Sequence, residues 1–368
     1  MEREPITPEH CARARRYQMR RLRLEVAASA LEFGAVAALL ALAPRGGWPS
    51  PGGGNFLAGA LFFALMTLLR QAASLHLDYL AGFRLAHQVG LSNETLAGWL
   101  RDRAKGLLLV LLIGCPAGGG LVAIMARWPG AWWWIGASLG ILLGGGLALI
   151  RPVLLAPLFF RFKPLADPGL RGRLESLLRR TGARVRGGVW EMDLSRKSRA
   201  ANAALVGWGP SRRVVLSDTL LEYAPDEIEA ILAHEIAHHV GRHIPRLMMA
   251  RAAVFAAGMF LAQAVLEHPR WYAWSGLPPL AAGEPAALAA LWLLFGIGGA
   301  ALSPLLLAYA RGLEHWCDAF AVKHTGGGQG MASALEKLCL KNLADPFPPG
   351  WVVALFHSHP PLGERIRR

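Results

Sequence analysis

His234-Glu235-Ile236-Ala237-His238 is the segment of this chain whose residue types and spacing most directly suggest chemistry. In a helix, residues four apart lie one turn above each other on one face. Both imidazoles can then reach a single cation while Glu235, one position on, flanks it closely enough to contact a water. A tetrahedral zinc with three protein ligands keeps its fourth position open for that water, which is the hydrolytic arrangement. The helix itself is predicted by its surroundings. Pro225, Asp226 and Glu227 open it, with acids in the first turn favoured by the helix dipole, and Ile228, Ile231, Leu232 and Ile236 supply an apolar face. His239 and His243 are expected to continue the helix beyond the motif. His239 reads as a solvated neighbour of the site. His243, about 140° round the helix from His238, reads as a hydrogen-bonding partner rather than a ligand.

The third ligand must come from a carboxylate or imidazole on another element. Residues 311–321 carry Glu314 and Asp318 one helical turn apart on one face. Asp318 would match the carboxylate that orients a ligating histidine from behind. His315 and Cys317 have the chemistry of ligands but are expected to point elsewhere on that helix. The four cysteines, Cys11, Cys115, Cys317 and Cys339, form no CxxC pair and read as reduced thiols.

The elements that must position these groups are unusual for a soluble domain. The 368 residues are 54% hydrophobic and only 17% charged, against about 45–50% and about 25% in ordinary globular chains. Six stretches are, or nearly are, long and apolar enough to cross a bilayer: Leu24 to Ala43, Phe56 to Leu69 and less cleanly on to Leu80, Gly106 to Ala126, Trp132 to Ile150, Leu247 to Leu266, and Pro285 to Ala310. The last contains Gly296, Gly298, Gly299 and Pro304, which predicts a kinked or broken helix. The net charge of +14 follows topology. Arg13, Arg15, Arg16, Arg20, Arg21 and Arg23 precede the first span, and the polar parts on that same side are all rich in Lys and Arg. The opposite loops hold only Arg45, Arg127 and Arg270. By the positive-inside rule both termini and the histidine motif face the cytoplasm. Nucleic-acid binding explains the basicity less well, since no aromatic-basic binding motif appears. The first apolar run is too long for a cleavable signal peptide.

Between the fourth and fifth spans, a polar unit holds a helix over Leu170 to Arg180 stopped near Gly182, short strands over Val189 to Leu194 and Arg213 to Leu216, and a helix or turn over Thr219 to Tyr223. Here the sequence resembles the Ste24-like, or type I CAAX prenyl protease, membrane metallopeptidases (family M48), with the bacterial heat-shock membrane protease HtpX as a more distant relative. The resemblance rests on an ordered series: Ala156-Pro157-Leu158-Phe159-Phe160-Arg161-Phe162-Lys163-Pro164-Leu165; Asn202-Ala203 with Gly207 and then Arg213 to Leu221; the HExxH motif; Glu314 with Asp318 in place of the family's ExxxD; and Ser358-His359-Pro360-Pro361-Leu362-Gly363-Glu364-Arg365.

The resemblance implies a mainly α, multi-pass α-helical integral membrane protein of about six spans with a cytoplasmic-side, zincin-like α/β catalytic subdomain. Its parts would be a basic cytoplasmic segment (1–23), four transmembrane helices (24–150), the catalytic domain with HExxH (151–246), two transmembrane helices (247–310), and a third-ligand helix with a C-terminal catalytic segment (311–368). It implies one Zn2+ per chain held by His234, His238 and Glu314, Glu235 as general base, and Asn202 beside an edge strand that holds substrate. His359 and Arg365 would reach toward the developing oxyanion. The expected activity is hydrolysis of peptide bonds in peptide or protein substrates, lipidated or membrane-associated ones included, by a multi-pass enzyme of the cell (inner) membrane in contact with membrane lipid. The competing expectations are a quality-control protease of looser specificity and a non-enzymatic membrane protein with a structural metal. Family members from eukaryotes have seven spans, and this chain is expected to lack the first. Around Asn202 the residues are Ala200-Ala201-Asn202-Ala203-Ala204-Leu205, less polar than the family pattern.

Overall fold

The computed structural model describes residues 6–42, 54–275, 279–280 and 283–368. The loop carrying Arg45 lies outside the described residues. Among them six helices are long and apolar enough to cross a membrane. They are α1 (Pro8–Ala41), α2 (Gly54–Asp78) continued by a π-turn (Tyr79–Arg84) into α3 (Leu85–Gln88), α4 (Leu96–Arg127), α5 (Trp132–Ile150), α8 (His243–Glu267) and α10 (Ala287–His324). The chain is a multi-pass helical membrane protein.

The fourth apolar run coincides with α5, which a π-turn (Arg151–Leu155) and a 3-10 turn (Ala156–Leu158) continue, and α1, α4 and α10 also run well past theirs. Hydropathy reports which residues can sit in lipid. The helix itself continues through charged turns wherever backbone hydrogen bonding and packing allow. Thr7 caps α1 by accepting from the His10 N–H at 3.1 Å, so residues from Pro8 onward are helix rather than a loose basic arm. The expected break in the sixth span is absent: α10 passes unbroken through Pro304, as membrane helices can when neighbours re-satisfy the freed carbonyl. Residues 310 and 311 are therefore consecutive positions on one helix.

Close packing inside the bundle depends on small residues. On α4, a Cβ at Gly119 would lie 2.5 Å from the Phe56 carbonyl oxygen, and one at Gly114 would enter the Phe63 ring at 2.2 Å. These glycines let α2 and α4 approach backbone to backbone, the usual packing device where lipid removes the hydrophobic drive for association. Val36, Phe62, Met66, Val122, Trp132 and Met259 fill the bundle core.

The polar unit is built on a four-stranded sheet of β1 (Phe162–Pro164), β2 (Val189–Met192), β3 (Ala203–Val206) and β4 (Arg213–Ser217), in the order β1-β2-β4-β3. Only β2 and β4 are parallel, and β3 forms one edge. Helix α6 (Pro168–Arg180) is capped by Asp167 and ends before Gly182, whose φ of +70° provides the left-handed exit. It packs with the histidine-bearing helix α7 (Pro225–Val240) through a core that includes Leu174, Leu177, Leu216, Ile228, Leu232 and Ile236. Ala321 of α10 and Met331 and Leu335 of α11 (Gln329–Lys341) join that core. The remaining short α-helices among the described residues are α9 (Pro269–Ser275), α12 (Gly350–Phe356) and α13 (Leu362–Arg367).

The glycine packing gives a paired prediction. Gly119→Ala forces a backbone shift and should cost about 1–3 kcal/mol, seen as a lowered thermal unfolding midpoint of the detergent-solubilised chain. Gly120→Ala, with nothing within 4 Å of the added carbon, should leave the midpoint unchanged or slightly raised.

Candidate metal centre

Helix α7 is held by its charged first turns as well as its apolar face. Glu227 closes the N-terminus by accepting from the Ala224 N–H at 2.8 Å, and takes Lys337 at 2.7 Å and Ser333 at 2.5 Å from α11. The buried Glu229 accepts from both Arg173 and Arg180 of α6. With Ile228, Leu232 and Ile236 in the core, the face bearing His234 and His238 is turned toward α10.

Glu314 on α10 meets both imidazoles. Its Oε2 lies 3.2 Å from His234 Nε2, and its Oε1 lies 3.2 Å from His238 Nε2. His234 Nδ1 donates to Asp318 Oδ1 at 2.8 Å, which fixes the tautomer and leaves its Nε2 lone pair toward Glu314. Asp318 is in turn clamped by Arg365, whose Nε and Nη2 donate to its two oxygens at 2.8 and 2.7 Å. His359 Nδ1 stands 2.7 Å from Glu314 Oε2. Residues 234–238, 314–318 and 359–365, far apart in the chain, thus converge at one point.

Whether these groups suit a cation is tested by the carboxylate. Glu314 is 3% exposed, and its Oε2, despite these close neighbours, has no aligned hydrogen bond. Two imidazole nitrogens and a buried, unsatisfied carboxylate oxygen facing one another form the His2Glu donor set that suits a divalent ion, zinc above all. The titration of His234 shows the same negative surroundings. Burial alone would lower its pKa, but the hydrogen bond to Asp318 and the nearby Glu314 carboxylate raise it to about 9. Burial raises the pKa of Glu235 above its ordinary value of 4.5, opposed by the nearby His234 and His238.

Several expectations need correction. Helix α7 ends at Val240, because Arg242 takes a left-handed conformation (φ 53°) and α8 begins at His243. His243 therefore reaches His238 from a new helix, Nδ1 to Nδ1 at 3.3 Å. Gly241 is required at this turn, since a Cβ there would lie 2.4 Å from the His243 ring and 2.8 Å from Trp316. Cys317 does not point elsewhere: it is fully buried, and one donor atom from each of His234, His238 and Cys317 falls within 4.8 Å of the others. Its sulfur also lies 3.5 Å from His243 Nδ1. Arg365, side chain 8% exposed, holds Asp318 through Nε and Nη2. His315 contacts Arg368 at 2.8 Å, outside the cluster.

Asn202 is exposed and immediately precedes the edge strand β3, with its N–H donating to Ser217 Oγ and its carbonyl accepting from the Ser217 N–H, both at 2.9 Å. A cavity of about 1190 Å³ runs along β3 and includes Asn202, His238 and His239 in its wall. A second, of about 1050 Å³, is bounded by His359 and Arg365, and Phe160 and Leu194 line both. No charge or hydropathy signal in the sequence marks β3, a four-residue strand of Ala203-Ala204-Leu205-Val206.

Comparison with known proteins extends over the whole chain. The sequence pattern of Peptidase family M48 matches residues 164–368. The pattern described as CAAX prenyl protease N-terminal, five membrane helices, matches residues 2–161, where four of the six candidate spans lie. The uncharacterized metalloprotease YhfN of Bacillus subtilis (strain 168) is 26% identical over 314 residues, 85% of this chain and 73% of that protein. CAAX prenyl protease 1 of Saccharomyces cerevisiae is 29% identical over 325 residues, 83% of this chain and 70% of that protein. The crystal structure of S. mikatae Ste24p shares the fold with a TM-score of 0.83 at 23% identity, covering 100% of this chain and 91% of that one.

The donor geometry makes a prediction that metal analysis checks. Asp318→Asn should weaken metal affinity about 10–100-fold, and Glu314→Gln should abolish stoichiometric binding. Cys317→Ser should leave the metal content of the purified chain intact; loss of metal from that variant would make sulfur a ligand.

Proposed function

The chain belongs to peptidase family M48, and from that membership we propose that it is a Ste24-like zinc endopeptidase whose ion is held by His234, His238 and Glu314. A multi-pass membrane metallopeptidase acting on peptide or protein substrates follows from the family itself. The single observation that carries the ligand assignment is the Glu314 carboxylate, 3.2 Å from both Nε2 atoms of the HExxH pair.

Zinc bound there supplies a Lewis acid that polarises the scissile carbonyl and acidifies water. Glu235 accepts the proton of the attacking water and passes it to the leaving amine, and its raised pKa suits it to both transfers. Asp318, clamped by Arg365, accepts from the His234 Nδ1–H and so presents Nε2 as the ligating atom; Arg365 is a positioning residue. His359, its side chain 58% exposed beside Glu314, donates toward the oxygen on which negative charge develops. No covalent enzyme intermediate is needed.

The substrate backbone is taken as an added strand on β3, beginning beside Asn202, since an edge strand offers unpaired N–H and C=O groups. The two cavities on either side of the cluster give the chain segments before and after the scissile bond separate room. Prenylated or otherwise lipidated peptides are the proposed substrate class, supported by the relatives named CAAX prenyl proteases. The Arg-rich loops support an inner-membrane enzyme with both termini and the metal centre on the cytoplasmic side. The division of the chain at 23, 150, 246 and 310 is kept as a functional one, with α1, α8 and α10 each running across a boundary.

Glu235→Gln should retain its metal yet lower turnover about 10²–10⁴-fold. The measurement is mass spectrometry of products from matched peptides with and without a prenylated cysteine. Cleavage by the variant near the wild-type rate would remove Glu235 from the base role. One defined product favours a processing enzyme, and many products from both peptides favour quality control.

A further inference from the structure

Away from the metal centre, and independent of any reading of it, the N-terminal half of α1 carries an aligned charge pattern. Arg13, Arg16, Arg20 and Arg23 recur at intervals of three, four and three residues and so share one helix face. All four are exposed. They line a cavity of about 700 Å³ closed on its other side by Leu85, Gln88 and Val89. Like charges one turn apart disfavour a helix, yet no carboxylate lines this cavity. Arg13 donates to the Val89 carbonyl at 2.9 Å, a neutral acceptor. Arg16, Arg20 and Arg23 form no ion pair with any other described residue. Their neighbours Arg15 and Arg21 are paired, with Asp345 and Glu25 at 2.8 Å each.

Membrane topology accounts for the number of these arginines but not for their alignment, because the positive-inside bias counts charges without regard to helix face. A stripe of unpaired guanidinium groups beside apolar walls calls for a ligand that is anionic at one end and apolar at the other. The position of the stripe says which. Arg23 adjoins the first apolar run at Leu24, so Arg20 and Arg23 lie within a turn of the hydrocarbon boundary, at the level of lipid headgroups. Buried Tyr17 and Leu85 in the cavity wall provide apolar contact there.

We infer that the groove between α1 and α3 binds the phosphate-bearing headgroup of an anionic phospholipid. The phosphate oxygens accept from the Arg16, Arg20 and Arg23 guanidinium groups, a geometry that arginine suits. Each cation near an anionic surface adds about fivefold to affinity, so the three together contribute about 100-fold.

The test uses the full chain in detergent, stripped of lipid, with native mass spectrometry reading retained ligand. The probes are phosphatidylglycerol, phosphatidylcholine and inorganic phosphate. Phosphatidylglycerol should be retained at least tenfold more strongly than phosphatidylcholine, inorganic phosphate should not compete at the same concentration, and R16Q/R20Q/R23Q should lower phosphatidylglycerol affinity about 100-fold. R179Q/R186Q/K323Q removes equal charge from exposed positions of the polar unit that line none of the three cavities and should retain the lipid. Equal retention of the two lipids overturns the inference, as does equal loss in both triple variants. Saturation by inorganic phosphate at lipid concentrations overturns the lipid as ligand. Should the triple variant fail to insert, R20Q and R23Q singly carry the same comparison, each lowering phosphatidylglycerol affinity about fivefold, and no change in either overturns the inference.

Discussion

A carboxylate that has lost nearly all contact with water is strongly destabilising unless other charges or donors replace the solvent. Glu314 is such a group, and every donor near it belongs to an element whose position is fixed for another reason. His234 and His238 come from a helix pinned by the Leu232 and Ile236 core and by the Glu229 pair with Arg173 and Arg180. His359 comes from the C-terminal segment that also delivers Arg365 to Asp318. Moving any one of these elements by an ångström would leave a buried negative charge uncompensated. The convergence is therefore a constraint on the fold as much as a feature of the site, and a divalent ion is the partner that best offsets it.

The carboxylate rides on α10, and α10 is one helix from the membrane interior to His324. Near its start Gly296 admits the Phe33 ring of α1 to within 2.2 Å of where a Cβ would stand. Trp292, one turn earlier, packs 4.7 Å from Phe33 and lies 4.3 Å beneath the Arg70 guanidinium, which pairs with Glu32. This intramembrane ion pair ties α1 and α2 together and sets both against α10. Bundle packing thus fixes the rod that carries Glu314.

How much of this was legible in the sequence differs from residue to residue, for identifiable reasons. The HExxH pair and the Glu314 and Asp318 pair were legible because each is set by helical spacing alone, whatever the rest of the chain does. Helix α5 was legible because Trp132 to Ile150 is uncharged throughout, although the helical path continues past Arg151 to Leu158. The extent of α1 and α10 was not, because a window for apolar content stops at the first charges while the backbone does not. The left-handed turn at Arg242 was hidden because arginine carries no signal for that conformation, and it alone changes how His243 approaches His238. Edge strand β3 was hidden for the opposite reason: its alanines suit many conformations, and pairing with β4 decides the matter. Cys317, three residues beyond Glu314, shares its face by the same spacing that made Asp318 visible, and that spacing could have found it.

The charged extension of α1 has a structural consequence at the other end of the chain. Arg15 pairs with Asp345 at 2.8 Å and donates to the Phe347 carbonyl at 2.6 Å, while Gln18 donates to the Leu343 carbonyl at 3.2 Å. Ala14, Tyr17 and Leu85 pack with Leu343 in a small core of their own. Phe347 in turn lies against Gly363, where a Cβ would meet its ring at 2.2 Å, and the Gly363 N–H donates to the Pro346 carbonyl at 3.0 Å. Two residues on from Gly363, Arg365 clamps Asp318. The path from α1 to the His234 tautomer is therefore a short series of direct contacts: helix, loop 343–347, helix α13, guanidinium, carboxylate, imidazole. A segment whose composition suggests only topology acts as the strut that holds the C-terminal residues against the metal centre.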